Sequence, residues 1–238
     1  MSRFRVGIDI GGTFTDIVFL NSEGRLFTKK VPSSVDNYAR AIVEGMAEVF
    51  DEASITPKDI RELRHGTTVA SNAILELKGA RVGLITSAGF RDVLEIRTLR
   101  MPRLYDLAWE KPPALVERYL RQVVDERINA NGVIERRPQR SEVEQVVRRL
   151  LDEKVEAIAI CLINAYANPD NERFVEQIVK EMAPDLPLCI SADVLPEMKE
   201  YERTSTTVIN AYVLPVVGTY LTALRKGLDG DGISAPIY

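Results

Sequence analysis

The stretch Gly7-Ile-Asp-Ile-Gly-Gly-Thr-Phe-Thr-Asp16 decides the fold of this chain and contains its clearest functional signal. Apolar and polar residues alternate up to the glycine pair, which is the pattern of a half-buried strand. Gly11-Gly12 interrupts that pattern, and a second β-like run follows at 14–20. Small residues in such a turn let backbone N–H groups approach a phosphate. The spacing fits a phosphate-binding turn and fits an ordinary hairpin turn equally well, because Gly-Gly is common in hairpins.

Four side chains around this turn suit a phosphate and its counter-ion. The hydroxyls of Thr13 and Thr15 could donate hydrogen bonds to phosphate oxygens. Asp9 and Asp16 flank the turn with carboxylates, which could hold Mg²⁺ directly or through water. Strand patterns lie on both sides of the turn, whereas a Walker loop or a dinucleotide fingerprint leads from a strand into a helix. The functional interpretation is therefore a phosphate loop of the strand–turn–strand kind.

Strand and helix patterns alternate along the rest of the chain, which predicts an α/β fold with an antiparallel meander at its front. Gly79 is expected to end the second helix, and Pro215 to kink or break the last one. The predicted elements after the first two strands are strand 25–31, helix 37–53, strand 60–65, helix 69–78, strand 80–86, helix 141–154, strand 155–163, helix 171–182, strand 186–191 and a helical region at 199–228.

Residues 87–139 depart from this alternation because their periodicity is weak and arginines are frequent. We expect a loop-rich insertion there, of the kind that often carries function. Its basic side chains could bind an anionic substrate or a partner subunit, but neighbouring acidic residues favour an ordinary solvated surface. The basic residues concerned are Arg91, Arg97, Arg100, Arg103, Lys111, Arg118 and Arg121.

The composition excludes several classes of protein. With 31 Lys and Arg against 35 Asp and Glu, the net charge is −4, which argues against a generic nucleic-acid binder. The hydrophobic fraction of 45% excludes a disordered chain. Cys161 and Cys189 lie in apolar runs and are expected to be buried and reduced. The segment 204–224 has no charged residue, but its many polar residues predict that it does not span a membrane, and we expect a cytoplasmic protein.

Several strings, taken together, resemble the N-terminal region of the hydantoinase/oxoprolinase family. The turn by itself resembles the first phosphate loop of the superfamily of sugar kinases, actin and heat-shock chaperones. The resemblance runs over nearly the whole chain and implies the first lobe of an actin-like or sugar-kinase-type ATPase fold. The strings are 7–19, His65-Gly-Thr-Thr-Val-Ala-Ser-Asn72, Gly89-Phe-Arg-Asp92, Leu104-Tyr-Asp106 and 195–212.

The resemblance implies ATP and Mg²⁺ as cofactors. Family members use ATP to hydrolyse cyclic amides such as 5-oxoproline and hydantoins, or to carboxylate ketones, by phosphorylating a poorly reactive carbonyl oxygen. It therefore implies a small-molecule cyclic amide or ketone as substrate, and a second, hydantoinase B-type subunit or domain as partner. Two alternatives stay open: a small-molecule kinase of the same superfamily, and a non-catalytic lobe that only binds nucleotide.

The resemblance also assigns roles to residues. The phosphate turn takes Gly11, Gly12 and Thr13, with Thr15 as a second hydroxyl contact. Asp9 and Asp16 are placed at the Mg²⁺ ion and near the reacting groups, which makes them catalytic candidates.

The second polar turn in the resemblance is His65-Gly66-Thr67-Thr68, and it is expected to face the same cleft. His65 is the only histidine in the chain, so a role as general base is one interpretation. The other interpretation is a histidine that is bonded structurally at the end of a strand.

The resemblance places an ATP-binding lobe at 1–198, with the insertion at about 87–139 inside it. Residues 199–238 would be the helical start of the following hydantoinase A-type region. No second glycine-rich phosphate turn follows Gly89. We therefore expect this chain to be a truncated part of a longer enzyme.

Overall fold

The computed structural model describes residues 3–34, 38–98, 105–106 and 108–238 and has a mixed α/β fold. The chain divides into two compact units. The first contains Met1–Lys78 and Val216–Tyr238, and the second contains Gly79–Pro215. The two units are defined by contacts within the chain. The predicted boundary between 1–198 and 199–238 separates two regions of the family's sequence, so the units do not test it and it stays a prediction.

The first unit is built on a four-stranded sheet that contains the predicted meander. Its strands are β1 (Phe4–Ile10), β2 (Phe14–Asn21), β3 (Leu26–Pro32) and β4 (Ile60–Thr67), in the order β3-β2-β1-β4. The first three strands pair antiparallel, and β4 pairs parallel to β1. Alternation buries one face of the sheet, with Ile8 and Ile17 at 4% and 0% exposure, and leaves Asp9 on the other face.

Two helices follow the strands of this unit. Helix α1 (Tyr38–Ala53) buries Ile42 and Met46 in the core of the sheet's apolar face, as its amphipathic pattern predicted. A short 3₁₀ turn at Pro57–Asp59 precedes β4, and α2 (Val69–Leu75) follows it. Helix α2 therefore stops three residues earlier than predicted, where the chain turns through Leu77 with φ of 54°.

The second unit has a parallel sheet. In chain order its strands are β5 (Val82–Ser87), β6 (Arg121–Val124), β9 (Ala157–Cys161) and β10 (Leu188–Ile190), and in space they lie in the order β10-β9-β5-β6. A small antiparallel pair, β7 (Arg127–Ile128) and β8 (Ile134–Arg136), lies between β6 and β9 in the sequence. The buried strands read as nearly continuous apolar runs, as parallel strands do.

The helices of the second unit are α3 (Val93–Ile96), α4 (Arg140–Asp152), α5 (Asp170–Met182) and α6 (Ser191–Val194). A 3₁₀ turn, Arg118–Leu120, precedes β6. Helices α4 and α5 each bury one apolar stripe, formed by Val143, Val146, Val147 and Leu150 on α4 and by Val175, Ile178 and Val179 on α5.

Gly79 does not act as the predicted helix stop. It has no positive φ, and a Cβ atom there would lie 2.1 Å from Cε1 of Tyr212. The position is therefore glycine because an aromatic ring packs directly on the backbone. Such a cause is tertiary and leaves no local signal in the sequence.

The prediction of a loop-rich insertion at 87–139 is wrong in one respect, because β6 is a strand of the second sheet. The strand has only four residues and begins with a buried arginine, Arg121, so alternation cannot reveal it. Arg121 pairs with Glu95, and Arg118 pairs with Asp92. These basic residues hold the insertion together, while Arg100 and Arg103, like Leu104 of the quoted strings, lie outside the described residues.

The last helix, α7 (Glu200–Gly230), continues through Pro215, so the predicted break does not occur. After it, residues 236–238 run parallel to β4, with hydrogen bonds from Leu63 N–H to Pro236 O and from His65 N–H to Tyr238 O.

By length and composition alone α7 could cross a membrane, with a mean hydropathy of 1.5 in a window that is 33% buried. Core helices of soluble proteins can reach the same length and hydropathy, and the absence of a membrane span stays a prediction.

Both cysteines are free thiols. Cys161 is buried at 2% exposure, as predicted, whereas Cys189 is only partly buried. Burial raises the pKa of both thiols, which keeps them protonated and unreactive.

Candidate functional site

The turn between β1 and β2 is held by bonds to its own backbone and to Ser33. The N–H of Gly11 donates to the carbonyl of Phe14 at 3.0 Å. Ser33, just after β3, donates from its N–H to Thr13 O at 2.9 Å and from its Oγ to Gly11 O at 2.8 Å. The turn is thus fixed by the third strand of the meander as well as by the two strands that it joins.

Two consecutive backbone donors at this turn are left open. The N–H groups of Gly12 and Thr13 have no hydrogen-bond partner in the described part of the chain, and both residues are exposed. Adjacent free N–H groups in an exposed turn are what an anion needs. Gly12 does not have positive φ, and a Cβ there would meet only Asn72 Nδ2, at 3.5 Å. The fold itself therefore does not require glycine at 12, whereas close approach of a ligand to the backbone would.

Thr15 does not offer its hydroxyl to a ligand as predicted. Its exposure is 0%, and its Oγ1 lies 2.9 Å from Ser33 Oγ. The reason is the alternation of β2, since Thr15 pairs with Ile10 and so points to the apolar face. Its hydroxyl is hydrogen-bonded to the Ser33 hydroxyl, which itself donates to Gly11 O in the glycine turn.

Three charged side chains cross the open face of the sheet next to the turn. Asp9 on β1 pairs with Asp16 on β2, and Asp16 pairs with Lys30 on β3. Lys30 Nζ donates to both carboxylate oxygens of Asp16 at 3.1 Å. Asp9 has no ion-pair partner among the described residues, so the row carries one uncompensated negative charge.

The second polar turn lies beside the first. Gly66 is the partner of Asp9 in the parallel pairing of β4 with β1. Just beyond β4, Thr68 donates from its N–H and its Oγ1 to Ile10 O, at 3.1 and 3.3 Å. Asn72 Nδ2 donates to Thr68 Oγ1 at 3.3 Å. The structure therefore brings 66–68 and the start of α2 next to the glycine turn.

Thr67 lies just before Thr68, the N-cap residue of α2, and its Oγ1 accepts the N–H of Val69 at 3.2 Å. Its hydroxyl is thereby placed at the joint between β4 and α2. Gly66 is exposed, and a Cβ there would lie 3.7 Å from Asp9 Oδ1. A side chain at 66 would therefore reduce access to the Asp9 carboxylate without disturbing the sheet.

His65 is not brought together with the two aspartates. It pairs with Ile8, and both side chains lie on the face opposite to that of Asp9. The imidazole packs against Tyr220, with ring centroids 5.7 Å apart, and neither ring nitrogen has a hydrogen-bond partner among the residues that the structure describes. Burial raises the pKa of Tyr220 to about 12. The position of His65 therefore gives no support to a role as general base beside Asp9. The imidazole also lacks the structural hydrogen bond of the other interpretation and packs against an aromatic ring instead.

A divalent cation would have two carboxylates at this site. The described residues contain no group of three or more His, Cys, Asp and Glu side chains placed to hold a metal ion. Asp9 and Asp16 nevertheless suit Mg²⁺, which commonly uses one or two carboxylates, with water and phosphate oxygens completing its shell.

Sequence reasoning missed Ser33 and Lys30. Ser33 lies 18 residues from Thr15, and nothing near it in the sequence marks it. Lys30 could have been found from the pattern, because a third antiparallel strand in register places 30 opposite 16.

Comparison with known proteins gives a consistent set of relatives. A family model described as the hydantoinase/oxoprolinase N-terminal region matches residues 5–183. The caprolactamase subunit alpha of Pseudomonas jessenii is 35% identical over 98% of this chain and 34% of its own length. The 5-oxoprolinase 1 of Arabidopsis thaliana is 31% identical over 96% of this chain and 20% of its own length.

Solved structures agree with these sequence relatives. The ATP-dependent caprolactamase from Pseudomonas jessenii superposes with a TM-score of 0.90 at 33% identity, covering 98% of this chain and 35% of that chain. A nucleotide-free acetone carboxylase, from a study of ATP-dependent acetone carboxylation, has a TM-score of 0.87 at 25% identity, with the same coverage. The chain thus spans about a third of the length of these proteins, and it belongs to the hydantoinase/oxoprolinase family.

Proposed function

We propose that this chain is the ATP-binding lobe, actin-like in fold, of an enzyme that phosphorylates a carbonyl oxygen of a cyclic amide. One observation carries the proposal: an open glycine turn lies beside the facing carboxylates of Asp9 and Asp16. Free N–H donors and a pair of acidic residues are the complementary parts of a site for a nucleotide phosphate with its cation. The ATP-dependent caprolactamase, with the same chain fold, supports this assignment.

Each part of the site has a distinct task in this proposal. The N–H groups of Gly12 and Thr13 bind phosphate oxygens, and Ser33 keeps the turn in shape. Asp9 and Asp16 hold Mg²⁺, which supplies positive charge to neutralise the phosphates when it is bound. Gly66 leaves the approach to Asp9 open. Positioning and neutralisation of charge are the main contributions that a protein makes to phosphoryl transfer.

The chemical value of the step lies in the leaving group. Transfer of the terminal phosphoryl group of ATP to an amide oxygen releases ADP and forms a carbon–oxygen–phosphorus linkage. Attack of water at that carbon gives a tetrahedral intermediate, and its collapse breaks the carbon–nitrogen bond, with a proton moving to the nitrogen, to leave an acyl phosphate. A second water then attacks the acyl carbon and expels phosphate, which leaves far more readily than hydroxide. A stable lactam is thereby opened to an amino acid, with ADP and phosphate as the other products.

The proposal extends to a partner and a location. The caprolactamase relative is named as a subunit alpha, which supports assembly with a second subunit. We place this chain with a hydantoinase B-type partner that completes the site around the amide or ketone. Two free cysteines and dependence on ATP fit the reducing cytoplasm.

The test is phosphate release from ATP by the protein together with its partner subunit. Caprolactam, 5-oxoproline, hydantoin and acetone are supplied in turn, with and without Mg²⁺. A matched pair of variants locates the nucleotide, since Gly12→Val fills the turn, whereas Gly7→Val adds the same atoms on β1 where a Cβ meets nothing within 4 Å. We expect Gly12→Val to abolish ATP binding and Gly7→Val to retain it.

Three results would contradict the proposal. Unchanged ATP binding in Gly12→Val would remove the turn from the site. Accumulation of a stable phosphate ester would indicate a small-molecule kinase. Binding of ATP without any turnover, with every substrate and with the partner present, would indicate a lobe that only binds nucleotide.

A further inference from the structure

A cavity lined by arginines lies at the other end of the first sheet from the glycine turn. A cavity of about 450 Å³ opens where β1 and β4 begin and β2 ends. This is within the size range of small-molecule sites. Among the described residues its lining contains three arginines and no acidic residue; these lining residues are Arg3, Arg5, Leu20, Asn21, Ser22 and Arg61.

The three guanidinium groups converge because of strand geometry. Arg3 immediately precedes β1, Arg5 is the second residue of β1, and both line the cavity. The pairing of β1 with β4 shifts between Phe4–Ile60 and Arg5–Glu62, which leaves Arg61 as an extra residue in a β-bulge. A bulge re-aims side chains, and here both Arg61 and Glu62 lie off the apolar face, beside Arg5.

The charges in this cavity are poorly compensated. Arg5 lies 3.5 Å from Glu62, but that carboxylate is shared with Arg64 at 3.3 Å. Arg3 and Arg61 have no ion-pair partner within the described ranges. Placing like charges side by side is unfavourable unless an anion joins them.

Asn21 adds a buried donor to the same lining. Its Oδ1 accepts the N–H groups of Glu23 and Arg25 at 3.0 and 2.8 Å, which fixes the orientation of the amide. The residue is 6% exposed, and its Nδ2 is buried without a hydrogen-bond partner in the described ranges of the chain. An unsatisfied buried donor is costly, so an acceptor from a ligand would be favourable.

We infer that this cavity binds a small molecule bearing phosphate or carboxylate groups. Guanidinium groups match both oxyanions bidentately, and three of them suit a ligand with more than one negative charge. The site is separate from the glycine turn, because β1 has seven residues and so separates them by roughly 20 Å. The anion held here is accordingly a second ligand and not the phosphate chain of the ATP at the turn.

The test uses inorganic pyrophosphate and citrate as probes, in titration calorimetry with the protein free of nucleotide. Arg61→Gln removes a lining guanidinium, and Arg64→Gln is the matched control, because Arg64 carries the same charge on the same strand outside the cavity. We expect Arg61→Gln to weaken binding roughly tenfold or more, and Arg64→Gln to leave it within about twofold. Binding of pyrophosphate alone identifies a phosphate ligand, and binding of citrate alone identifies a carboxylate ligand.

The Gly12→Val variant separates this site from the turn. We expect it to keep the affinity for the probes while losing ATP. The inference is overturned if neither probe binds, if the two arginine variants weaken binding equally, or if Gly12→Val removes probe binding. An unchanged thermal transition in each variant shows that the fold is intact, since all three positions are exposed.

Discussion

Asp9 and Asp16 face each other directly across β1 and β2, next to the turn that joins the two strands. Like charges opposite one another in a sheet are destabilising. Lys30 compensates Asp16 alone, so within the described part of the chain Asp9 is a carboxylate without an ion-pair partner, beside two N–H donors without acceptors. Such an arrangement lowers the stability of the protein slightly, and a cation shared by the two carboxylates would remove that cost.

Replacement of Asp9 by Asn tests this relationship. We expect the free energy of unfolding without ligand to rise by up to about 1 kcal/mol, because the like-charge pair is removed. Binding of ATP in the presence of Mg²⁺ should weaken at least roughly tenfold, since a charged ligand of the cation is lost. Urea unfolding and titration calorimetry measure the two effects. Asp51→Asn, on the exposed side of α1, is the control and should change neither quantity; equal losses of ATP binding in both variants would contradict the assignment.

The position of His65 predicts a different outcome for its replacement. Because its ring lies on the apolar face against Tyr220, we expect His65→Phe to keep the affinity for ATP within about twofold. The stability should be unchanged or slightly higher, because two unpaired ring nitrogens are removed from the interior. A variant that binds ATP normally but has lost substrate-dependent phosphate release would instead show that His65 acts in catalysis.

Replacement of Gly79 by Ala tests the packing of the Tyr212 ring, and the same replacement at Gly218 serves as the comparison. At Gly79 a Cβ would lie 2.1 to 2.4 Å from three atoms of the Tyr212 ring, so Gly79→Ala must displace a buried side chain. We expect a loss of about 1 to 3 kcal/mol in the free energy of unfolding. At Gly218, inside α7, a Cβ meets nothing within 4 Å, and Gly218→Ala should stabilise by about 0.5 to 1 kcal/mol. A stable Gly79→Ala protein would mean that the ring can move aside at little cost.

The parts of the fold that sequence predicts are those with a strong local period. The meander and the helices on either side of β4 follow from alternation and amphipathic spacing, and the facing of Asp9 and Asp16 follows once the turn is centred on Gly12-Thr13. The burial of Thr15 could also have been predicted from the sequence, because the alternation that buries Ile17 also buries the residue two positions before it.

Other features depend on contacts between distant residues. Strand β6 is one of these features, because it is defined by its pairing with β5. It begins with the buried guanidinium of Arg121, whose burial is offset by hydrogen bonds to Glu95 and to the carbonyl of Val116. Helix α7 continues through Pro215 although proline normally interrupts a helix, so its length is not set by local preference. In the candidate site, Ser33 reaches the turn from 22 residues away, and no pattern predicts that contact.

The second unit contains a buried carboxylate that makes stability depend on pH. Glu172, at the start of α5, accepts hydrogen bonds from Leu162 N–H at 2.8 Å, Ser191 Oγ at 2.6 Å and Ala192 N–H at 2.9 Å. Burial raises the pKa of Glu172 to about 7, although these donors and Arg203 oppose the shift. Burial also raises the pKa of Glu126, whose carboxylate bonds to Ser87 and Asn171.

Because the folded state holds the proton of Glu172 more tightly than the unfolded state does, stability must fall as the pH rises from about 4.5 through about 7 and level off above it. The difference in pKa corresponds to roughly 3 kcal/mol over that range. Urea unfolding at pH 5, 6, 7 and 8 should show this decline, and Glu172→Gln should reduce it, leaving the smaller contribution of Glu126. Glu181→Gln is the control on the same helix, since Arg140 holds the pKa of Glu181 below its usual range and outside this window. A decline of equal size in wild type and Glu172→Gln would show that another group is responsible.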